Sequence, residues 1–237
     1  MKNPSTLKPY NTNVQQMFNN IASHYDFLNH FLSFGIDKIW RRKAIKLLIP
    51  YKPTQILDVA TGTGDFAIEA IKLNPQKITA IDIAETMLEI AKHKIKKKNL
   101  GEKIAFITGS SESIPFTDKS FDAVTVAFGV RNFKDLKMGL SEILRVLNEK
   151  GVAVILEFSR PAAFPFKQIY LFYFRWILPL IGKMISKDNM AYTYLFETVM
   201  NFPQGDDFAV ILKQVGFSNV RIYKLSFGIC SIYIAEK

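Results

Sequence analysis

Ile56-Leu57-Asp58-Val59-Ala60-Thr61-Gly62-Thr63-Gly64-Asp65 joins an apolar run to a turn with two glycines and then to a stretch with helical spacing. Gln55–Ala60 reads as a buried strand and Asp65–Leu73 as the helix after it. Glycine at 62 and 64 lets a ligand approach the backbone, because a Cβ there would collide with it. Twenty residues beyond Gly62 stands Asp82, at the end of a second apolar run, Lys77–Asp82. A carboxylate so placed accepts hydrogen bonds from both hydroxyls of a ribose. The segment is therefore expected to be the nucleotide loop of an α/β sheet.

The flanking sequence keeps the same rhythm. Helices are expected at Glu85–Asn99, Asp135–Leu147 and Asp206–Val215, and strands at Ile104–Thr108, Phe121–Ala127 and Val152–Phe158. Strands at Val220–Leu225 and Ile229–Ala235, joined by a short Phe227-Gly228 turn, should pair antiparallel and complete a seven-stranded sheet. Before Pro50 the pattern differs. Met17, Phe18, Ile21, Ala22 and Tyr25 recur at helical spacing and a basic helix follows from Asp37 to Leu48, so residues 1–50 form a helical cap on a domain spanning 51–237. Residues 160–202 interrupt the alternation with an aromatic-rich stretch, Phe164–Pro179, and read as an insertion.

The 237 residues, 49% hydrophobic and 22% charged, supply a full core and leave no room for a collagen-like, coiled-coil or disulfide-scaffold reading. The one cysteine, Cys230, suits a reducing compartment and is expected to be a small buried hydrophobe. The N-terminus is polar, with no apolar run or cleavage site, so the chain is expected in the cytoplasm. Its net charge of +10 favours anionic partners, nucleic acid or phospholipid among them, without choosing between them.

Gly62-x-Gly64-x-x-Ala67 followed by Asp82 also satisfies the dinucleotide fingerprint. Acidic residues on both sides of the glycines, Asp58 and Asp65, argue against that reading, since they repel a pyrophosphate and attract a cation. S-adenosylmethionine carries a sulfonium and an ammonium and no phosphate, and fits the charge pattern better. The one Tyr-x-x-x-Lys pair, Tyr233 with Lys237, ends the chain on a strand and makes a poor reductase dyad.

Further motifs narrow the choice. They are Phe18-Asn19-Asn20-Ile21-Ala22-Ser23-His24-Tyr25-Asp26-Phe27-Leu28-Asn29, Ser33-Phe34-Gly35-Ile36 and Trp40-Arg41 in the cap; Met87-Leu88; Glu112 with Ile114-Pro115-Phe116; Phe121-Asp122; Phe128-Gly129-Val130-Arg131-Asn132; and Leu156-Glu157-Phe158-Ser159. With the loop, they make the chain resemble the class I S-adenosylmethionine-dependent methyltransferases, and within them the quinone-biosynthesis C-methyltransferases of the UbiE/MenG type. Tyr25-Asp26-x-x-Asn29, Phe128-Gly129-x-Arg131-Asn132 and Leu156-Glu157-Phe158-Ser159 carry the specific part of that likeness, which covers nearly the whole chain.

The resemblance implies an α/β, Rossmann-like seven-stranded sheet with its last strand antiparallel, an N-terminal helical cap and an inserted helical lid. It implies transfer of a methyl group from S-adenosylmethionine to a ring carbon of a prenylated quinol, chiefly demethylmenaquinol to menaquinol, with the methoxybenzoquinol step of ubiquinone synthesis as the alternative. By position, Thr63, Asp82, Ser110 and Ser111 would touch the cofactor beside Gly62, Gly64 and Asp58, with Ala127 offering its backbone. The chain departs from the family's usual pattern in having Ser110 in place of Asp or Asn and Ala127 in place of a frequent Ser. Serine is a shorter partner for the adenine amino group, so that contact is expected to run through water or to fall to the backbone of Ser111.

Carbon methylation requires the ring carbon beside a hydroxyl to become nucleophilic, which happens when that hydroxyl, of pKa ~10, loses its proton. Arg131, just past the fourth strand, is assigned electrostatic activation of the quinol, against the equally weighted reading of a loop-anchoring salt bridge. Asn132 is assigned orientation of the ring, and His24, Tyr25 or Asp26 acceptance of the proton. The cap bearing Tyr25 and Asn29 is expected to act as a lid, and Trp40 to serve packing.

Lys167, Arg175, Pro165 and Pro179 break the 164–182 stretch below the ~20 apolar residues of a membrane span. It is expected to be an amphipathic helix facing a prenyl tail or the bilayer interface, or else a homodimer interface or added core. The lysines between Lys92 and Lys103 read as a solvated helix end. His30 and His93 read as surface residues, and no metal site is expected. An Asp/Asn-Pro-Pro-aromatic loop, the mark of an amino-methylating nucleic-acid enzyme, does not follow the fourth strand, so nucleic acid is not expected as substrate.

Overall fold

The computed structural model describes residues 14–22, 33, 35–177 and 189–237. Residues 14–22 form α1, and Ile36–Lys46 form α2 behind Gly35, whose φ of 73° is left-handed. The alternation then begins: β1 (Gln55–Val59), α3 (Asp65–Ala70), β2 (Lys77–Asp82), α4 (Glu85–Lys97), β3 (Ile104–Thr108) and β4 (Phe121–Ala127). It continues with α5 (Leu136–Val146), β5 (Leu147–Phe158), α6 (Phe166–Phe172), α7 (Asn189–Asn201), α8 (Asp206–Val215), β6 (Asn219–Leu225) and β7 (Cys230–Glu236).

The seven strands are ordered β3-β2-β1-β4-β5-β7-β6. The first five pair parallel, while β7 lies antiparallel between β5 and β6, with Phe158 opposite Cys230 and Leu225 opposite the same residue. The antiparallel pair expected at the C-terminus is present. Insertion of β7 beside β5 is an added finding, since a short connection fixes only that β6 and β7 are neighbours.

Alternation along each strand distributes the core over both faces of the sheet. Ile56, Val152 and Val154 face the layer holding Trp40, Ala44, Leu48, Phe66 and Ala67. Leu57, Val59, Ala153 and Ile155 face the layer holding Leu140, Ile143, Phe208 and Leu212. Cys230 is fully buried, and burial pushes its thiol well above the ordinary range. Trp40 is packed as expected, its ring edge-on to Phe158 with centroids 6.2 Å apart.

β5 differs from the reading of its sequence. It starts at Leu147 and takes in Glu149-Lys150-Gly151, because a register irregularity between Phe121 and Ala123 lets Leu147 pair with Phe121 before the regular ladder begins at Val152. A Cβ on Gly151 would lie 2.9 Å from the Asn148 carbonyl, so the kink requires glycine.

Strand order reverses at β1, which has β2 on one side and β4 on the other. In such sheets the crevice at the carboxyl ends of the strands flanking this switch point is where ligands bind. The cap closes one side of it. Phe18, Ile21 and Ala22 of α1 pack on Ala84, Met87 and Ile90, and Gln15 Nε2 donates to the Ile83 carbonyl at 2.6 Å. The insertion approaches from the other side, through Tyr170 of α6 and Val199 of α7 on Phe158 and Ile229.

Candidate cofactor and acceptor cleft

A cleft opens at the switch point, between the ends of β1, β2, β3 and β4. Gly62, Asp82, Ser110, Ser111, Ala127 and Asn132 all line it. Six residues scattered over seventy positions of sequence are thus brought to one wall by four strand ends.

Asp82 is held in place by the main chain. Gly62 N donates to Oδ2 and Ala84 N to Oδ1, each at 2.8 Å. Burial raises its carboxyl above the usual range, opposed by the amides of Ala84, Gly62 and Ile83. Each oxygen keeps a further lone pair for a hydroxyl in the cleft. Ile83 and Met87, just beyond, add apolar wall.

The β3 end carries the second acidic group. The Ser110 hydroxyl donates to Glu112 Oε2, and Glu112 Oε1 accepts from the Lys134 amide at 2.7 Å. Burial raises the Glu112 carboxyl, but hydrogen bonds from Ser110, from its own amide and from Lys134 outweigh that and hold it below the usual range. Its own amide in turn donates to Ser110 Oγ at 3.2 Å. The serine therefore faces the cleft with its proton already committed.

Other residues singled out in the sequence lie beneath the cleft. Asp58 is 1% exposed and accepts from the Thr61 and Thr125 hydroxyls, both at 2.6 Å. Burial, against those two hydrogen bonds, pushes its carboxyl up to about 6. Thr63 is buried and accepts from Lys94 Nζ at 3.2 Å, while Lys94 also pairs with Asp65. A Cβ on Gly64 would meet Ala91 Cβ at 3.2 Å, so this glycine admits α4 rather than a ligand.

These placements correct two readings. The charge preference of the cleft does not come from Asp58 and Asp65, since one is enclosed and the other is matched by Lys94. It comes from Asp82 and Glu112, with Lys134 as the one cation among the described residues of the wall. Two carboxylates against one exposed lysine suit a sulfonium and an ammonium and repel a pyrophosphate. Lys94, for its part, is no member of a solvated lysine run, although Lys96, Lys97 and Lys98 are exposed.

The β1 and β4 ends approach each other closely. A Cβ on Gly129 would sit 2.7 Å from that of Ala60. Ala60 and Phe128 both adopt positive φ, 53° and 58°. For phenylalanine this is a conformation that the surroundings must enforce. Arg131 enforces it: Nη1 donates to the Phe128 carbonyl at 2.5 Å and pairs with Glu157 Oε1 at 2.7 Å, and the guanidinium lies 5.4 Å from the Phe158 ring centroid. Burial raises the Glu157 carboxyl, opposed first by the Arg131 charge. Arg131 thus sits below the loop, and its neighbour Asn132 reaches the cleft.

His24, Tyr25, Asp26 and Asn29 lie outside the described residues. The structure adds Gln15, Phe18, Ile83, Met87, Glu112, Gly129 and Lys134 to the wall, and Tyr194 behind Asn132. Phe18, Met87, Glu112 and Gly129 stand in the motifs quoted above, and Ile83 directly follows Asp82. Gln15, Lys134 and Tyr194 leave no signal in the sequence. Among the described residues no group of three or more His, Cys, Asp or Glu gathers, and no helix is long and apolar enough to cross a membrane.

Residues 6–237 match the profile of the ubiE/COQ5 methyltransferase family. A demethylmenaquinone methyltransferase from Bacteroides fragilis is 50% identical over 98% of this chain and 97% of its own length. A ubiquinone/menaquinone biosynthesis C-methyltransferase from Geotalea uraniireducens is 45% identical over 94% of this chain and 96% of its own. Among solved structures, a SAM-dependent methyltransferase from Thermotoga maritima superposes with a TM-score of 0.67 at 19% identity, over 94% of this chain and 100% of that one, a likeness of fold.

Proposed function

Since the chain belongs to the ubiE/COQ5 methyltransferase family, we propose that it methylates a ring carbon of a prenylated quinol, demethylmenaquinol in the first place, with S-adenosylmethionine as donor. The observation that carries the donor side is the wall of Asp82, Glu112 and Ser110, acidic and rich in fixed acceptors. Asp82 would hold the ribose hydroxyls, Ile83 and Met87 would cover the base, and Ser110 with Ser111 would meet its edge. Gly62 and Ala127 would leave room for the rest. When bound, the cofactor supplies a sulfonium methyl: the new carbon–carbon bond forms as the carbon–sulfur bond breaks with its electron pair left on sulfur, and the ring carbon gives up its own proton to solvent or a basic side chain.

On the acceptor side Asn132 would hydrogen-bond the ring oxygen. Arg131 would serve the reaction by fixing the Phe128–Asn132 loop, since its charge is matched by Glu157. His24, Tyr25 or Asp26 remains the assigned proton acceptor. The benzoquinol reaction is the second reading, favoured by relatives named for both quinones.

A prenyl tail brings the acceptor from a bilayer, and the insertion presents a face suited to one. Ile169, Phe172 and Trp176 are 61%, 59% and 58% exposed at helical spacing, with Lys167 and Arg175 beside them. Residues 160–187 hold five Lys or Arg and no Asp or Glu. We assign this face to the surface of an anionic membrane.

The test is transfer of labelled methyl from S-adenosylmethionine to reduced demethylmenaquinol, to prenylated methoxybenzoquinol and to bulk RNA, in detergent. Labelling of the naphthoquinol is expected, with the benzoquinol second. Labelling of RNA alone would overturn the acceptor assignment.

A further inference from the structure

Asn132 lines the cleft from the turn after β4, and its carboxamide has one acceptor oxygen and two N–H donors to place. The oxygen is taken by the insertion: Tyr194 of α7, 62 residues further along the chain, donates its hydroxyl to Asn132 Oδ1 at 3.1 Å. One N–H leans on the Phe128 carbonyl at 3.4 Å. What the carboxamide then has left is its second N–H and one lone pair on the oxygen that Tyr194 holds on the insertion side. Without the tyrosine hydroxyl, the amide is free to turn over and present its oxygen instead, because its two ends are nearly alike in shape.

The difference is chemical. A donor aimed at a ring hydroxyl favours the ionised form, and an acceptor in the same place disfavours it. We propose that Tyr194 is a positioning residue that fixes the Asn132 carboxamide with a donor toward the acceptor's ring oxygen, so that the cleft selects an aromatic alcohol and promotes its ionisation. The inference rests on the quinol reading above and deepens it. It also gives the insertion a part in the site, since α7 supplies this hydroxyl. The main chain there is held by Thr198, whose hydroxyl donates to the Tyr194 carbonyl at 2.8 Å. The remainder of the turn is independent of Tyr194: Asn132 N donates to Gly129 O at 2.9 Å, and Arg131 holds Phe128.

Tyr194→Phe keeps the ring and removes the hydroxyl. In the complex with S-adenosylhomocysteine, 1-naphthol serves as probe, because its absorption reports its own ionisation without turnover. The ionisation midpoint of bound 1-naphthol should rise by about one pH unit in Tyr194→Phe, and kcat with demethylmenaquinol should fall about tenfold. Calorimetric affinity for S-adenosylhomocysteine should stay unchanged. Asn132→Asp, which places a carboxylate where the N–H was, should raise the midpoint further. A naphthol midpoint equal to that of the wild type in Tyr194→Phe would overturn the proposal, whether or not kcat had fallen, and so would a loss confined to cofactor affinity. Failure of the quinol reading shows separately, as a wild-type protein that binds 1-naphthol with a lowered midpoint but methylates no quinol.

Discussion

Arg131 Nη1 lies 2.7 Å from Oε1 of Glu157, and the two side chains are 7% and 0% exposed. The pair joins the turn after β4 to the end of β5, and the same nitrogen holds the Phe128 carbonyl while Phe128 keeps a positive φ. Removing one member leaves the other charge buried without a partner, which typically destabilises by ~3–5 kcal/mol, whereas removing both spares that penalty. Arg131→Ala is therefore expected to unfold at markedly lower urea concentration than the wild type, and Arg131→Met/Glu157→Gln to recover a large part of the difference. Equal stability of Arg131→Ala and the wild type would show that the pair does not hold the loop.

Among the described residues, Asp82 supplies the one carboxylate whose two oxygens are each fixed by a main-chain amide while facing the cleft. Asp82→Asn replaces one acceptor by a donor, which opposes the Gly62 or the Ala84 amide and removes one ribose contact. Loss of a charged hydrogen bond together with an unsatisfied amide is worth roughly 3 kcal/mol, or about a hundredfold in affinity for S-adenosylhomocysteine. Isothermal titration checks this, and an affinity within threefold of the wild type would remove Asp82 from the cofactor site.

Asp58 gives a pH dependence of defined sign. Its carboxyl titrates at about 6 in the folded protein, chiefly because it is buried, against 3.8 as the ordinary value. Between roughly pH 4 and pH 6 the unfolded chain has released this proton and the folded chain still holds it, so the contribution of Asp58 to stability falls as pH rises through that window and is level above it. The total change is roughly 2–3 kcal/mol. In Asp58→Asn the wild-type-minus-variant difference in unfolding free energy should follow this fall, measured by urea unfolding from pH 4 to 8. A difference independent of pH would mean that Asp58 is ionised throughout.

The fold was legible from residue 55 onward because each strand there is an apolar run bounded by a turn, and because a short link between two strands dictates their direction. The start of β5 was not legible, since Leu147-Asn148-Glu149-Lys150 carries no strand pattern and is drawn into the ladder only by its pairing with Phe121. Within the site, Asp82, Gly62 and Asn132 follow from their places at strand ends, and Ser110, Ser111 and Ala127 from the family resemblance. Arg131 stands next to Asn132, and Gly64 and Asp58 two and four positions from Gly62, yet all three face the core, a choice made by tertiary packing that spacing does not encode. Tyr194 was beyond reach for a different reason, its partner lying 62 residues away across an insertion.

The exposed stripe of Ile169, Phe172 and Trp176 yields the last expectation. Fully burying an aromatic side chain is worth roughly 1.5–3 kcal/mol, and a ring that reaches only the headgroup boundary gains part of it. Lys167 and Arg175 add roughly 1 kcal/mol each near an anionic surface, an amount that salt screens. The protein should sediment with vesicles containing phosphatidylglycerol, bind pure phosphatidylcholine more weakly, and be released in part by high salt. Phe172→Asp/Trp176→Asp should bind the anionic vesicles about a hundredfold more weakly, by the loss of roughly 3 kcal/mol of burial. Neither residue lines the cleft, so transfer to a water-soluble, short-tailed quinol should persist in the double variant while transfer to the long-tailed quinol in vesicles is lost. If the face instead covers a second copy of the chain, analytical ultracentrifugation will show a wild-type dimer that the double variant dissociates, with vesicle binding absent in both. That result would reassign the stripe from lipid to subunit contact and leave the assignments in the cleft as they stand.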